Sequence, residues 1–383
     1  VVESLIGAAY IHGGFDLGYE CAKLFGLGVK WSPIPQRTET FLARVELDTI
    51  IPPALHYVEQ MLGYTFKRKI LLLEALTHAS YQQDVRTVSY ERMEFLGDSV
   101  LDMVVTDYLY HAPGKNYSPG HIHLRRSSVV NTHFLAFICL NTSVKFDATM
   151  PHAVDGIIKD EADPQDISLW KCLLHSNSRV MDDQANTNSR FRKKRDEIQN
   201  ALKHDTIFPW AALTRLQAPK FFSDVIESVL GAVFLDSGGD INAARGVVDY
   251  LGILPVLEHI VKDNVDVWHP VSRIAQWASK HGKALDFQFE KEKGAVKCNV
   301  LVDGKVEACA VDTYRGASTQ EEVKLIAAEE ATRALRLRTK HMDNELHSKG
   351  GRRKGKASQL HRPSEDIPMM SPGTGSAKVI QVD

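Results

Sequence analysis

No apolar run in the 383 residues reaches the ~18 residues that a membrane-spanning helix requires. The first residues show neither the pattern of a signal peptide nor that of a transit peptide. The chain is therefore expected inside the cell, in the cytoplasm, the nucleus or both, with no membrane partner. Cysteine is scarce: five residues, Cys21, Cys139, Cys172, Cys298 and Cys309, form no C-x-x-C pair and no even framework. That argues against a thiolate zinc site and a disulfide scaffold, and leaves the thiols as packing residues. A dominant charge sign is also lacking. The net charge of -2 does not announce a nucleic-acid binder, although averaging conceals two basic runs, 190–195 (RFRKKR) and 349–356 (KGGRRKGK).

What is present is ordinary in bulk and unusual in one place. A 44% hydrophobic and 25% charged composition is that of a globular protein with length for two or three domains. Between Tyr90 and Asp102 (YERMEFLGDSVLD), carboxylates recur at helical spacing among apolar residues. Glu94 and Asp98 are four apart, so they stack on one helix face with Cβ atoms about 6 Å apart. Met93, Phe95, Leu96, Val100 and Leu101 fill much of the remaining surface. The stretch is either an acidic solvent face or one half of a cation site, in which a divalent ion offsets the repulsion between acids.

A second pair, Asp224 and Glu227, stands three apart on a helix starting near Lys220, and all three share a face. Two helices presenting two carboxylates each would form a four-acid cluster. Such clusters bind magnesium for phosphodiester hydrolysis, where the ion activates water and stabilises the leaving oxygen. Lys220 either contacts a phosphate oxygen or merely neutralises the acids.

Self-comparison exposes a repeat. With an offset of 224, Val1, Glu3, Ser4, Gly7, Ala8, Gly14 and Asp16 match Val225, Glu227, Ser228, Gly231, Ala232, Gly238 and Asp240. The earlier copy has nothing before Val1 and no initiating Met, so residues 1–30 are expected to be the C-terminal end of a domain whose body lies upstream. Residues 31–53, with Trp31-Ser32-Pro33-Ile34-Pro35 and Pro52-Pro53, read as a linker. A helical domain is expected over 54–260, with apolar periodicity at Leu55 to Leu62, Lys69 to Thr77, Glu91 to Leu109, Ile122 to Leu140, Lys220 to Phe234 and Ile241 to His259. Between about 145 and 219 the periodicity weakens, which reads as an insertion, partly disordered or loosely helical. Its RFRKKR run is either an RNA contact or a solvated helix face.

From Trp268 the pattern changes. A helix over His269 to His281, strands over Leu285 to Glu290, Ala295 to Val302 and Lys305 to Tyr314, and a helix over Gln320 to Leu337 make an α-β-β-β-α module at 268–338, with Asp303-Gly304 as a hairpin turn. Residues 339–383 are expected to be a disordered basic tail.

Three blocks carry a family resemblance. Tyr90 to Leu101 (YERMEFLGDSVL) resembles the ribonuclease III signature, Leu73 to Tyr81 (LEALTHASY) the block before it, and Lys220 to Gly231 (KFFSDVIESVLG) the second acidic block. The resemblance spans about Ala54 to Glu258, less the insertion. It implies an all-helical endonuclease domain in which Glu94, Asp98, Asp224 and Glu227 bind Mg2+ or Mn2+ and cut double-stranded RNA. Glu91 and Arg92 would be supporting residues, and His78 of LTHAS structural. Asp102 would likewise be a structural acid.

With the partial copy at its start and the module at its end, the chain is similar to the C-terminal part of Dicer, especially the Dicer-like proteins of filamentous fungi. That implies an intramolecular pair of ribonuclease III domains, each cutting one strand, of which only Glu3 of the first domain's acids remains here. Proteins of RNA silencing would be further partners. The rival functions are a stand-alone homodimeric ribonuclease III and a non-cleaving RNA-binding scaffold. The 268–338 module resembles a double-stranded RNA-binding domain, which reads A-form shape through phosphates and 2'-hydroxyls. Of the family's lysine cluster before Ala327-Ala328, this sequence keeps only Lys324, beside Glu321 and Glu322. Weak RNA binding or a protein-contact role is expected.

Overall fold

One helix, Phe221–Asp236, has every residue buried, which a sixteen-residue sequence containing only three carboxylates permits. It ends where Gly238 and Gly239 adopt φ of 81° and 93°, their amides returning to the Leu235 and Phe234 carbonyls at 3.1 and 2.8 Å. Left-handed backbone there suits glycine and closes the last turn.

The computed structural model describes residues 1–28, 52–81, 88–154, 157–292, 294–313 and 318–337, with isolated positions at 36, 39 and 40. Most of the expected linker at 31–53 and all of the expected tail at 339–383, including its basic run, lie outside them. In chain order the helices are α1 (Val2–Leu24), α2 (Ala54–Leu62), α3 (Lys69–Ala75), α4 (Glu91–Tyr110), α5 (Pro119–Val129) and α6 (Thr132–Asn141). Strands β1 (Ser143–Val154) and β2 (Ile157–Ser168) follow, then α7 (Ser178–His204), α8 (Trp210–Thr214), α9 (Phe221–Asp236), α10 (Ile241–Tyr250) and α11 (Ile253–Lys262). The C-terminal part is α12 (Pro270–Lys280), β3 (Leu285–Glu292), β4 (Ala295–Val302), β5 (Lys305–Thr313) and α13 (Ser318–Ala334). It is a mostly helical domain followed by an α-β-β-β-α module. Among the described residues, no helix is long and apolar enough to cross a membrane.

Helices α3, α4, α6 and α10 pack around α9. Phe134, Phe222 and Leu101 are fully buried there, and each such side chain contributes roughly 1.5–3 kcal/mol of transfer free energy. Asp236 anchors the far end of α9 by accepting from Tyr64 Oη at 2.9 Å and from the Lys67 and Arg68 amides at 2.9 and 2.8 Å.

The repeat extends to the backbone. Helix α1 breaks at Gly13 and Gly14, the latter at φ 72°, and Gly238, its counterpart at the same offset, has φ 81°. In both copies a helix, a glycine turn and a second helix follow one another. Helix α1 touches the domain through Tyr10, which donates to Asp107 of α4 at 3.0 Å, and through Phe15, whose ring lies 6.5 Å from that of Phe234.

The region 145–219 differs from the sequence expectation. Strands β1 and β2 form an antiparallel hairpin, Ser143 opposite Ser168 and Val154 opposite Ile157, and α7 is a continuous helix of 27 residues. Its buried stripe is Val180, Gln184, Thr187, Phe191, Ile198 and Leu202. The spacing is helical, but two of the six positions are polar, which hides the apolar period. Both polar groups are bonded: Gln184 Nε2 donates to the Trp170 carbonyl at 3.0 Å, and Arg190 Nη2 to Thr187 Oγ1 at 3.2 Å. Similarly, the single run expected over 122–140 divides at Asn131, whose side chain caps α6 by accepting from the Phe134 amide at 3.0 Å.

In the module, β3–β4–β5 is an antiparallel sheet with a register shift at Val300/Leu301. Asp303 and Gly304 at φ 51° and 77° form the expected hairpin turn. Helices α12 and α13 cover one face of the sheet through Ile274, Val323, Ala327 and Ala331.

Candidate metal centre

Helices α4 and α9 cross where Gly97 faces Gly231, which brings the carboxylates one turn away on each helix together. One oxygen each from Glu94, Asp224 and Glu227 lies within 4.8 Å of the other two. Asp224 and Glu227 are only 5% and 8% exposed. Asp98 stands outside this trio and is exposed, yet its charge reaches Glu227. Lys220 spans the rim, its Nζ 2.7 Å from Glu94 Oε1 and 2.6 Å from Asp224 Oδ1. Glu3 is exposed on α1 and is not among the trio.

The two carboxylates of α9 differ in their support. Tyr90 Oη donates to Asp224 Oδ2 at 3.0 Å, and Ser223 Oγ lies 3.4 Å from Oδ1. Burial raises the Asp224 pKa, while Lys220 and Tyr90 oppose that rise. Burial and the adjacent Asp224 charge raise the Tyr90 pKa, keeping its hydroxyl a donor. The Lys220 ammonium is opposed by burial, but its bonds to Asp224 and Glu94 outweigh this and raise its pKa. Glu227 has no hydrogen-bond donor among the described residues. Burial first, then Asp224 and Asp98, push its carboxyl up to about 8. A buried acid without a donor, beside two more acids and only one lysine, lacks positive charge. A hard divalent cation would supply it, and an all-oxygen set would suit Mg2+ or Mn2+.

Residues around the trio hold its frame. Arg92 pairs with the buried Glu74 on α3, Nη2 to Oε2 at 2.7 Å. Ser228 Oγ donates to the Ala75 carbonyl at 2.7 Å, tying α9 to α3. Asp102 accepts from Arg126 at 2.7 Å, so it is occupied structurally. His78 accepts the Ser80 amide at Nδ1, 3.1 Å away, and its ring lies 5.9 Å from Tyr90 and 6.5 Å from Phe221. These contacts make it a turn and packing residue. Sequence reasoning did not single out Tyr90 as a carboxylate support, nor the two crossing glycines. The available signal was the placement of Gly97 and Gly231 three and four residues beyond Glu94 and Glu227.

Residues 91–238 match the family model described as the ribonuclease III domain. Dicer-like protein 2 of Aspergillus oryzae is 34% identical over 345 residues, covering 88% of this chain and 24% of that protein. Dicer-like protein 2-1 of Aspergillus niger is 35% identical over 346 residues, with the same two coverages. The chain thus spans about a quarter of the length of these curated relatives. Among solved structures, the nuclease domain of ribonuclease III from Campylobacter jejuni is 25% identical, covers 51% of this chain and is itself 92% covered, with a TM-score of 0.33. The chain contains a ribonuclease III domain region related to fungal Dicer-like protein 2.

Proposed function

We propose that this chain is part of a Dicer-like, metal-dependent endoribonuclease that hydrolyses double-stranded RNA into small RNAs for RNA silencing. The observation that carries the proposal is Glu227: a buried carboxylate without a donor among the described residues, grouped with Glu94 and Asp224 inside the ribonuclease III region. Magnesium or manganese, held by these three with Asp98 beside them, would supply activated water and stabilise the leaving oxygen. Tyr90 holds one oxygen of Asp224 and Lys220 the other. Lys220, with its side chain 63% exposed at the rim, offers positive charge to a phosphodiester oxygen.

The repeat supports reading Val1 to Asp16 as the end of a first ribonuclease III domain, with Glu3 as a remnant of its acids, paired with the second domain at 54–260. A stand-alone homodimer needs one copy of the motif. A non-cleaving scaffold needs none of the four acids, and all four are present.

The test is strand-resolved cleavage of long double-stranded RNA by the full-length protein with Mg2+. Wild type cuts both strands, and Glu94→Gln or Asp224→Asn leaves one strand uncut. Cleavage of both strands at the wild-type rate by both variants would overturn the assignment.

A further inference from the structure

We propose that the α-β-β-β-α module is a fixed brace on the nuclease region, held through α13, and that the first half of α13 is committed to protein and closed to RNA. The inference does not depend on cleavage or on metal. Glu322 is 2% exposed; it accepts the Gln217 side-chain amide and pairs with Arg215 Nε at 3.8 Å. Gln217 sits in the turn between α8 and α9 at φ 45°. Glu321 lies 3.9 Å from His133 Nε2 on α6. Leu325, 3% exposed, belongs to the nuclease core, with Ile326 packed against that core. Two turns beyond Glu321, Glu329 is half-buried, and the Arg215 charge at the end of α8 acts on its carboxylate.

Positions 322, 325 and 329 share one helix face, and that face is against the nuclease region, while Glu321 at its edge keeps a side chain 69% exposed. The opposite face, Val323, Ala327 and Ala331, is the module's own core. Lys324 is half-buried, its Nζ 4.7 Å from the centre of the Phe287 ring on β3. The docked acids also have the wrong sign for RNA, since phosphate neutralisation by cations supplies much of duplex affinity.

The full-length protein tests this. Glu322→Arg is expected to speed proteolysis of the 262–270 connector about tenfold, and the exchanged pair Arg215→Glu with Glu322→Arg to return it to within about threefold of wild type. Lys324→Ala is expected to change affinity for a non-cleaved RNA duplex in Ca2+ by less than about twofold. Hydrogen exchange of the unmodified protein provides a readout that no variant's folding can spoil: the first half of α13 is protected before RNA is added and gains nothing from it. An unprotected first half of α13, RNA-dependent protection of it, or a loss of about tenfold in duplex affinity with Lys324→Ala would overturn the proposal.

Discussion

Gly97 of α4 and Gly231 of α9 meet backbone to backbone. A Cβ on Gly97 would lie 2.9 Å from the Gly231 nitrogen and closer still to the Glu227 carbonyl oxygen. A Cβ on Gly231 would lie 3.1 Å from the Gly97 nitrogen and closer still to the Met93 carbonyl oxygen. The obstructing atoms are main chain within helices, so neither side can yield by a rotamer change.

Gly97→Ala and Gly231→Ala should therefore each cost about 3 kcal/mol of stability through overpacking. They should also weaken Mg2+ binding, because the helices that carry the trio are forced apart. The exposed Gly246 in α10 has nothing within 4 Å of an added Cβ, so Gly246→Ala should be neutral or stabilise by up to about 1 kcal/mol. Chemical unfolding of the three variants checks the contrast.

Tyr90→Phe removes the donor to Asp224 Oδ2 without changing the packing volume. A loss of about 1–2 kcal/mol of stability is expected, together with weaker Mg2+ binding and a lower kcat/KM. Retention of wild-type metal affinity in a calorimetric titration would show that Asp224 needs no such support.

The Glu227 carboxyl, raised from 4.5 to about 8, sets a pH dependence. A raised folded-state pKa means that the folded chain holds the proton more tightly than the unfolded chain. The associated stability is complete below 4.5 and is lost as pH rises toward about 8. Without divalent metal, Tm should fall between those limits, and Glu227→Gln should flatten the decline. Saturating Mg2+ should reverse the trend, since the ion favours the ionised acid. Thermal melts in EDTA and in Mg2+ across that range test both signs.

Lys220→Gln removes the ammonium that now bridges Glu94 and Asp224. Metal affinity should rise severalfold while single-turnover cleavage slows. A loss of both would make Lys220 a structural clasp for the acids instead of a phosphate contact.

The helices that precede the module were legible because their apolar spacing is regular, and the module's strands because they alternate around an Asp-Gly turn. Helix α7 was obscured by Gln184 and Thr187, polar residues whose burial is permitted by specific bonds that no periodicity reveals. At the site, the acids were visible as two spaced pairs, but their unequal placement was not. Asp98 lies four residues from Glu94 yet outside the trio. Tyr90 acts across 134 positions of sequence, and a hydroxyl at that separation carries no local signal. The docking of α13 was equally hidden, although the acids at 321 and 322 marked that surface as unlike an RNA-binding one.

The most direct measurement pairs a Mn2+ titration with strand-resolved cleavage for the full-length protein and its Glu227→Gln variant. If the trio is the metal centre of a nuclease, the variant loses about tenfold or more in metal affinity at this site and leaves one RNA strand intact. Undiminished Mn2+ binding with both strands cut at the wild-type rate would contradict it.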